Sequence, residues 1–396
     1  MKNILFIVNN GKISPNVNGG AAVYYSHLEL LYKSGFNITV LSVQWGETDT
    51  FNDVDFFEIK DMVKKIVSYK IFQKTPTNGT DRLFNAFFRP HIFEYYFLNK
   101  KNQKYLKIIT KEHSIDLVWA EWRWAGLWAG FSNLSIPVIY AHHDWEFKLA
   151  KLRKKGNLLQ KFHTFQKKRV EYKLVKSVSA CISGSNTEAL EIEKVSNKKA
   201  LYIPTTYKDM IVQLQVNDKP NIIHLGGMGT TANRLGLERF LDVCWDSIKK
   251  ENPTIKLIII GGLSEAPASL LKKLKDTNIE CLGFVKELSD VLHPQDIHII
   301  PWEFNTGTRT RLPLIFNYEQ VLVGTKASVE AFPEVWDKEN SLLCDTLEEM
   351  TSKINLILSD KSARQRISKK GKETFLKSFT VENRVQELKK YLENLE

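Results

Sequence analysis

Residues 307–311 combine a glycine, two threonines and two arginines between an apolar run and a helical stretch. Backbone N–H groups at a helix start bind anions, and guanidinium groups hold phosphate through paired hydrogen bonds. Gly307, Thr308, Arg309 and Arg311 therefore predict a diphosphate site. The alternative is that the arginines are ordinary surface residues beside a helix start, which is a common arrangement.

Two glycine-bearing segments also follow predicted strands. Gly19 and Gly20 precede a helix in the first half of the chain, and Gly227 lies in the run 226–229 that opens the second half. Glycine lets a backbone approach a phosphate closely, and Arg234 could add a cation to the second loop. Each loop is also consistent with a plain turn between strand and helix. Neither carries the Gly-Lys-Ser/Thr ending of a P-loop or a convincing dinucleotide fingerprint, which disfavours ATPases and dehydrogenases.

A polar cluster follows the apolar run 137–141. It begins with His142, His143 and Asp144, at the end of a predicted strand, where open α/β sheets bind their ligands. His143 is the stronger candidate for catalysis, with Asp144 beside it. The alternative is a histidine that packs in the interior and bonds to backbone. We predict no metal site, because adjacent side chains point in different directions and no partner ligand stands at zinc-like spacing.

Short apolar runs alternate with helical stretches along both halves of the chain. This alternation is typical of parallel sheets covered on both faces. It predicts an α/β fold with two Rossmann-like domains facing across a cleft, which ligands enter at the carboxyl ends of the strands. The predicted strands are residues 4–8, 38–43, 116–120, 137–141, 178–182, 201–203, 222–225, 256–260, 279–282, 297–301, 321–324 and 341–343.

The predicted domains are residues 1–205 and 221–377. A linker at 206–220 joins them, since this stretch lacks periodicity and closes on a turn-like Asp-Lys-Pro. A C-terminal helix at 378–396 could pack back on the first domain. Between about 47 and 113 the pattern is unclear, and we predict a helical insertion at 84–96. Among the other predicted helices are 146–176, 233–251 and 286–292.

Positive charge is concentrated in the first half. The net charge of +11 divides into +12 over residues 1–200 and −1 over residues 201–396. The basic stretch 151–176 could attract an anionic membrane surface or a phosphorylated acceptor, or it could be a solvated helix face. Nucleic acid is disfavoured as a partner, because no recognition motif accompanies the charge.

The cysteines and the apolar runs point to a cytoplasmic protein. Cys181, Cys244, Cys281 and Cys344 are far apart in sequence, which predicts buried thiols in a reducing compartment. No apolar run approaches the length of a spanning helix, and the first one leads directly into polar residues, which favours a strand over a signal peptide. Peripheral docking on the inner membrane face is compatible with this prediction.

Taken in order, these motifs resemble those of the GT-B glycosyltransferases, particularly bacterial members of glycosyltransferase family 4. Gly19-Gly20 is similar to the glycine pair of the family's first loop, and residues 143–146 to its H-[ND]-x-E segment. Residues 307–311 are similar to its G-x-R-x-K segment. Weaker likenesses lie at Val178–Ser183, Ile203-Pro204 and Val321–Thr325, and the resemblance covers nearly the whole chain, most weakly over 47–113.

The resemblance implies transfer of a sugar from a nucleotide donor, UDP- or GDP-linked, to a glycan or lipid-linked acceptor in the synthesis of a bacterial surface polysaccharide. It implies retention of anomeric configuration, and neither a metal nor a cofactor beyond the nucleotide sugar. The acceptor would lie on the domain at 1–205 and the donor mainly on the domain at 221–377. Arg309 and Arg311 would neutralise the leaving diphosphate, and His143 would contact the donor sugar or the reacting centre. The candidate donor-binding residues are Gly19, Gly20, Gly227, Arg234, Glu303, Gly307, Thr308, Arg309 and Arg311.

The sequence departs from the family in its ribose-binding region. Many members carry an E-x7-E pair, whose positions are occupied here by Thr306 and Leu314. An apolar Leu314 cannot accept a hydrogen bond from a ribose hydroxyl. Either Glu303 or another residue substitutes, or donor binding is altered, or activity is lost. A non-catalytic glycosyltransferase-like binding subunit and a GT-B-fold nucleotide-sugar epimerase are therefore kept as alternative hypotheses.

Overall fold

The computed structural model describes residues 2–9, 12–45, 53–73, 79–80, 84, 87, 97–153, 158–210, 216, 219–305 and 307–395. The chain divides into two compact units. Unit 1 comprises Met1–Thr205 together with Val381–Glu396, and unit 2 comprises Thr206–Thr380. Each unit has its own parallel β-sheet and its own apolar core.

Unit 1 contains a seven-stranded sheet in the order β3-β2-β1-β4-β5-β6-β7. All described strand pairs in it are parallel. Its strands are β1 Asn3–Asn9, β2 Asn37–Gln44, β3 Lys65–Lys70, β4 Leu117–Glu121, β5 Val138–His142, β6 Ala180–Ser183 and β7 Ala200–Tyr202. Its helices include α1 Gly19–Lys33, α2 Lys100–Glu112, α3 Trp122–Gly130, α4 Glu146–Arg153, α5 Leu158–Ser177, α6 Asn186–Ser196 and, from the C-terminus, α14 Glu382–Glu393.

Unit 2 contains a six-stranded sheet in the order β10-β9-β8-β11-β12-β13, again with parallel pairs. Its strands are β8 Ile222–Leu225, β9 Leu257–Ile260, β10 Ile279–Gly283, β11 Ile297–Ile300, β12 Val321–Thr325 and β13 Ser341–Cys344. Its helices include α7 Thr231–Phe240, α8 Asp246–Glu251, α9 Ala268–Lys273, α10 Arg311–Asn317, α11 Lys326–Val329, α12 Leu347–Ser359 and α13 Lys361–Ser378.

Strand β1 shows why these runs are continuously apolar. Leu5 and Ile7 belong to the core on one face of the sheet, whereas Ile4, Phe6 and Val8 belong to the core on the other. All five are fully buried. A strand covered on both faces must be apolar at every position, which is the pattern of a parallel sheet between helices.

In each sheet, the strand order reverses beside the first strand of the unit. The reversal lies between β1 and β4 in unit 1 and between β8 and β11 in unit 2. Connections leave such neighbouring strands in opposite directions and open a crevice at their carboxyl ends, where α/β proteins bind ligands. The segments that follow these strands are those that the sequence singled out, including Gly19-Gly20, 226–229 and 307–311.

The predicted fold class, α/β with two Rossmann-like layers, is confirmed, and several element predictions are corrected. Strand β3 and helix α2 occupy part of the stretch that showed no clear pattern. The predicted helix at 286–292 is only a 3-10 turn, Leu288–Asp290. The predicted helix at 233–251 is interrupted by a π-helical turn, Leu241–Trp245. Most of the predicted insertion at 84–96 lies outside the described residues.

The predicted helix at 146–176 is described as two helices, α4 and α5, with residues 154–157 outside the described part. Cys181, Cys244 and Cys344 are buried as expected, but Cys281 is exposed, so the prediction of a buried thiol is wrong there. This cysteine lies on β10, the edge strand of its sheet. Among the described helices, none is both long and apolar enough to cross a membrane.

Candidate functional site

In unit 2, the loop after β8 is built around a glycine. Gly226 has a φ of +146°, and a Cβ atom there would lie 2.7 Å from Nη2 of Arg311. Asn233, on α7, donates from Nδ2 to the carbonyl oxygen of Gly227 at 3.0 Å. Only glycine allows both the backbone angle and this close approach. The loop, α7 and the start of α10 are thereby held together.

Arg311 is the cation at this point. Its Nη2 donates to Oδ1 of Asn233, and its guanidinium lies 5.1 Å from the centre of the Trp302 ring. Its Nη1 is shielded from solvent and has no hydrogen-bond partner. Within the described part of the chain, no carboxylate forms an ion pair with Arg311, and burial is the one cause that lowers its pKa, to about 10. A desolvated cation with an unused donor is an incomplete ion pair, which an anion would complete.

Arg309 is placed differently from its neighbour. Its side chain is 1% exposed and donates to three backbone carbonyls, those of Gly307 at 2.7 Å, Ser328 at 3.1 Å and Phe304 at 3.3 Å. Its guanidinium also lies 4.4 Å from the centre of the Trp302 ring. In this arrangement Arg309 fixes the loop between β11 and α10. Contact between Arg309 and a diphosphate stays a prediction, and it would require these hydrogen bonds to be exchanged.

The other unit 2 candidates divide between the loop and its surroundings. Arg234 donates from Nη1 to the carbonyl oxygen of Met228 at 3.3 Å, so it lies over the glycine loop next to Gly227. Thr308 is half-buried, and Gly307 has a φ of +62°. Glu303 is exposed and accepts from Nε of Arg239 at 3.0 Å.

Of the two positions of the expected ribose-binding pair, Thr306 and Leu314, the structure describes only Leu314. Leu314 packs with the apolar cluster that contains Ile223, Ile260 and Tyr318. Thr306 lies outside the described residues. Leu314 therefore contributes apolar packing, and a hydrogen bond to a ribose hydroxyl from this position is excluded by its chemistry.

In unit 1, the predicted glycine pair begins a helix. Gly19 and Gly20 are the first two residues of α1, and both are exposed. Asn18 caps the helix by accepting from the backbone N–H of Ala21 at 2.9 Å. Helix α1 therefore starts in the loop after β1, as the sequence predicts.

His143 is held by a carboxylate that the sequence analysis missed. Its Nε2 lies 2.8 Å from Oε2 of Glu121, the last residue of β4. Oε1 of Glu121 accepts from Nε1 of Trp119 at 2.7 Å and lies 2.8 Å from Nδ1 of His27, on α1. Burial alone would raise the pKa of Glu121, but the charge of His27 and the hydrogen bonds from His143 and His27 lower it to about 2. A polar residue ending an apolar strand was the signal for Glu121.

Aromatic rings surround His143. Trp122 lies nearly parallel to it, with ring centres 6.0 Å apart and planes 15° apart, and the Tyr24 ring centre is 5.5 Å away. Trp122 has a φ of +67°, a strained conformation for an aromatic residue. Such outliers cluster at functional sites, since surrounding structure must enforce them.

Asp144 and His142 flank the candidate histidine. Asp144 is half-buried, and its Oδ1 is shielded from solvent without a hydrogen-bond partner. Burial, and then the charge of Glu188, raise the pKa of Asp144 to about 6. His142 is fully engaged in the interior, with Nε2 at 2.9 Å from Oε2 of Glu188 and Nδ1 at 3.1 Å from the hydroxyl of Tyr140. Of the two histidines, His142 therefore has the packing role.

Comparison with known proteins supports the fold and finds a family match within the second unit. The family model described as "Glycosyl transferases group 1" matches residues 219–360, which lie within unit 2. No curated protein matches this chain.

Solved structures resemble the chain over its whole length. A sucrose-phosphate synthase from Thermosynechococcus elongatus shares 15% identity with a TM-score of 0.74, over 100% of this chain and 99% of the other. HepE from Anabaena, in complex with UDP-glucose, shares 14% identity with a TM-score of 0.70, over all of both chains. A TarM mutant from S. aureus, in complex with fondaparinux, alpha-GlcNAc-glycerol and UDP, shares 11% identity with a TM-score of 0.71, over 100% and 99%. The resemblance to GT-B glycosyltransferases drawn from the motifs is thus confirmed, and at these identities the structural likeness establishes the fold.

Proposed function

We propose that this protein is a glycosyltransferase that moves a sugar from a nucleotide-sugar donor to a glycan or lipid-linked acceptor. The observation that carries the proposal is the unpaired Nη1 of Arg311 beside the Gly226–Gly229 loop, because this position calls for an anion. It lies in the segment that matches the group 1 glycosyltransferase model. UDP-sugars are the first donors to test, since HepE was solved with UDP-glucose.

In the proposed reaction, unit 2 binds the diphosphate of the donor. As the bond between the sugar C1 and the diphosphate oxygen breaks, negative charge develops on the leaving diphosphate, and a fixed guanidinium stabilises it. Arg311 has this role, with Arg234 beside the glycine loop. His143 contacts the donor sugar or the reacting centre, and Asp144 lies beside it. Retention and independence from metals are parts of the proposal.

The test is a panel of UDP-glucose, UDP-N-acetylglucosamine and GDP-mannose, measured by thermal shift and by donor hydrolysis with and without EDTA. We expect at least one donor to bind and to be hydrolysed, with no loss of rate in EDTA. Arg311→Gln should weaken donor binding by about 10–100-fold, the value of a hydrogen bond to a charged group. Arg366→Gln, an exposed change in the same unit, is the matched control. Failure of every donor to bind would overturn the proposal.

A second candidate function is favoured by Leu314. A nucleotide-binding subunit without transfer activity would tolerate an apolar residue where the ribose contact is expected, and Leu314 packs into the core around Tyr318. This candidate predicts donor binding without hydrolysis or transfer. A Leu314→Glu variant that gained turnover would support it, whereas turnover by the wild-type protein would exclude it.

We also propose that the basic stretch of unit 1 docks on an anionic membrane, which supports a role in surface polysaccharide synthesis. Helices α4 and α5 form a cavity of about 590 Å³ whose lining includes Phe147, Lys151, Lys161, Phe165 and Lys168. Leu158 and Leu159, at the start of α5, are 85% and 63% exposed. Apolar side chains beside lysines suit the boundary between acyl chains and anionic headgroups.

Cosedimentation with vesicles tests the docking. Binding should require phosphatidylglycerol in phosphatidylcholine vesicles and should weaken at high salt. Lys161→Gln with Lys168→Gln should reduce it, whereas Lys369→Gln, an exposed change in unit 2, should not. Equal binding to vesicles of phosphatidylcholine alone would overturn the docking and leave the transfer reaction untouched.

A further inference from the structure

The carboxylate of Glu121 joins three elements at the carboxyl edge of the unit 1 sheet. Glu121 ends β4, His143 follows β5, and His27 lies on α1, whose first residues are the glycine pair. Glu121 is fully buried, His27 is 2% exposed and His143 is 8% exposed. The histidines lie 2.8 Å from different oxygens of one carboxylate, with Trp119 as the third donor.

The ionisation of Glu121 determines where the protons are on both rings. With a pKa of about 2, the side chain is a carboxylate at neutral pH and accepts hydrogen bonds only. A ring nitrogen 2.8 Å from a carboxylate oxygen must then carry a hydrogen. His143 is therefore protonated on Nε2, and His27 on Nδ1.

The ring of His143 is also fixed in orientation. The Trp122 ring lies nearly parallel to it. Trp122 directly follows Glu121 in the chain and has the strained backbone angle described above. Tyr24, one helical turn before His27 on α1, approaches from a tilted direction. A residue that determines both tautomer and orientation of a ring acts on substrate through that ring.

We propose that Glu121 is the positioning residue of the unit 1 site, holding the His143 ring in its Nε2–H form and in one orientation for its contact with the donor sugar or the reacting centre. The consequence for turnover rests on the proposed glycosyl transfer. The proton positions do not, so they can be tested separately.

Long-range ¹⁵N–¹H correlation spectra of protein labelled at histidine report the tautomer of each ring, with His143→Gln and His27→Gln used for assignment. The wild-type protein should show His143 protonated on Nε2 and His27 protonated on Nδ1. A wild-type His143 that is protonated on Nδ1 alone would overturn the proposal, and this spectrum requires no variant at Glu121.

Glu121→Gln sharpens the test because the two oxygens of Glu121 accept different numbers of hydrogen bonds. Oε1 accepts from two donors, Trp119 and His27, so the glutamine oxygen should take that place and the amide NH₂ should face His143. We expect His143 to change to the Nδ1–H tautomer while His27 stays unchanged. A His143 that keeps its Nε2–H form in this variant would contradict the assignment.

Glu188→Gln is a matched control for the spectra. Glu188 is equally buried and lies 2.9 Å from Nε2 of His142, so the same chemical change is made at the neighbouring histidine. It should alter the His142 signals and leave the tautomer of His143 as it is. Loss of the His143 tautomer in both variants would indicate a general loosening of the interior and would overturn a specific role for Glu121.

Kinetics complete the test with UDP-glucose or whichever donor of the panel is hydrolysed. Glu121→Gln should lower kcat by about 10–100-fold, the usual contribution of a group that orients a functional histidine, with KM for the donor little changed. An unchanged kcat in a folded variant whose His143 tautomer has changed would overturn the functional role. If no donor is hydrolysed by the wild-type protein, the proposed transfer fails, while the spectra still decide the role of Glu121 in orienting His143.

Discussion

At the scale of residues, Arg309 and Arg311 of one loop differ in whether the fold uses their hydrogen-bond donors. Arg309 donates to three carbonyls, whereas Arg311 keeps an unpartnered Nη1 and a depressed pKa of about 10. A cation held away from water without a counter-ion costs stability, at roughly 1.4 kcal/mol per unit of pKa shift. The protein retains this cost at Arg311, which is what a site prepared for an anion requires.

The same substitution at these two positions should therefore have opposite effects. Arg309→Gln should lower the free energy of unfolding by about 2–4 kcal/mol, because several buried carbonyls lose their donors. Arg311→Gln should leave it unchanged or raise it by about 1–3 kcal/mol, since the uncompensated charge is removed. Urea denaturation followed by circular dichroism measures both. Destabilisation of Arg311→Gln as large as that of Arg309→Gln would show that Arg311 is structural.

A second residue-scale prediction concerns Glu171 on α5. Its side chain is buried and accepts from the backbone N–H groups of Glu146 at 2.9 Å and Phe147 at 3.1 Å. Burial raises its pKa to about 7, against opposing contributions from Arg123 and these hydrogen bonds. Between pH 4.5 and 7 the folded state therefore binds more protons than the unfolded state, so this group makes stability fall as the pH rises.

Glu171→Gln removes that dependence. The free energy of unfolding of the variant minus that of the wild type should be larger at pH 8 than at pH 4.5. The increase should be up to a few kcal/mol, since one pKa unit corresponds to about 1.4 kcal/mol. Urea midpoints of both proteins across this range give the difference. A difference that is constant with pH would show that Glu171 is ionised normally in the folded protein.

The sequence predicted those site residues that follow strands, and it missed those that depend on distant pairing. His143, Gly227 and Arg311 were found because polar or glycine residues after an apolar run mark the ligand edge of a parallel sheet. The pairing of Glu121 with His27 joins residues 94 positions apart, and no periodicity encodes it. The sequence also could not predict that Arg309 is buried, because its partners are backbone carbonyls, which every residue type has.

At the scale of elements, most strands could be predicted because they are buried on both faces of their sheet. Strand β3 is not buried in this way, and the sequence did not predict it. Strand β1 is apolar at all five inner positions, whereas β3, at the edge of the sheet, contains only exposed and half-buried residues. Helix α2 was missed for a different reason. Its composition is strongly polar, but its buried residues, including Leu106 and Ile109, recur at helical spacing. The edge strand has too little apolar periodicity to be predicted from sequence, whereas α2 has the periodicity of an amphipathic helix in a polar composition.

A glycine in α3 tests how closely this helix must approach the sheet. A Cβ atom at Gly126 would lie 2.6 Å from Cδ2 of Tyr140, on β5. Gly126→Ala should gain about 1 kcal/mol of helix propensity but lose more through displacement of the buried Tyr140 ring, for a net destabilisation of about 1–3 kcal/mol. Thermal denaturation measures it. Gly262→Ala is the control, because nothing lies within 4 Å of a Cβ atom there; equal stability of the two variants would disprove the close packing.

At the scale of the whole molecule, unit 1 is formed by two segments of the chain that are separated in sequence by unit 2. After unit 2 ends at Thr380, the last residues belong to unit 1, where α14 packs with α1. Val381, Leu388 and Leu392 join the core that contains Ile4 and Phe6 of β1. The stability of the first strand therefore depends on residues near the C-terminus.

Leu388→Ala tests this dependence, because Leu388 is fully buried in that core. Removing a buried leucine side chain costs about 2–5 kcal/mol. Hydrogen exchange followed by mass spectrometry should show protection falling by about 30-fold or more in peptides from β1 and α1, since exchange of core amides reports unfolding free energy. Peptides from β8 and β11, in unit 2, should keep their protection. Leu190→Ala, on an exposed leucine of unit 1, is the control and should change neither set. Equal losses in β1 and β8 would show that the two units unfold as one, and unchanged protection in β1 would show that α14 contributes nothing to the core of unit 1.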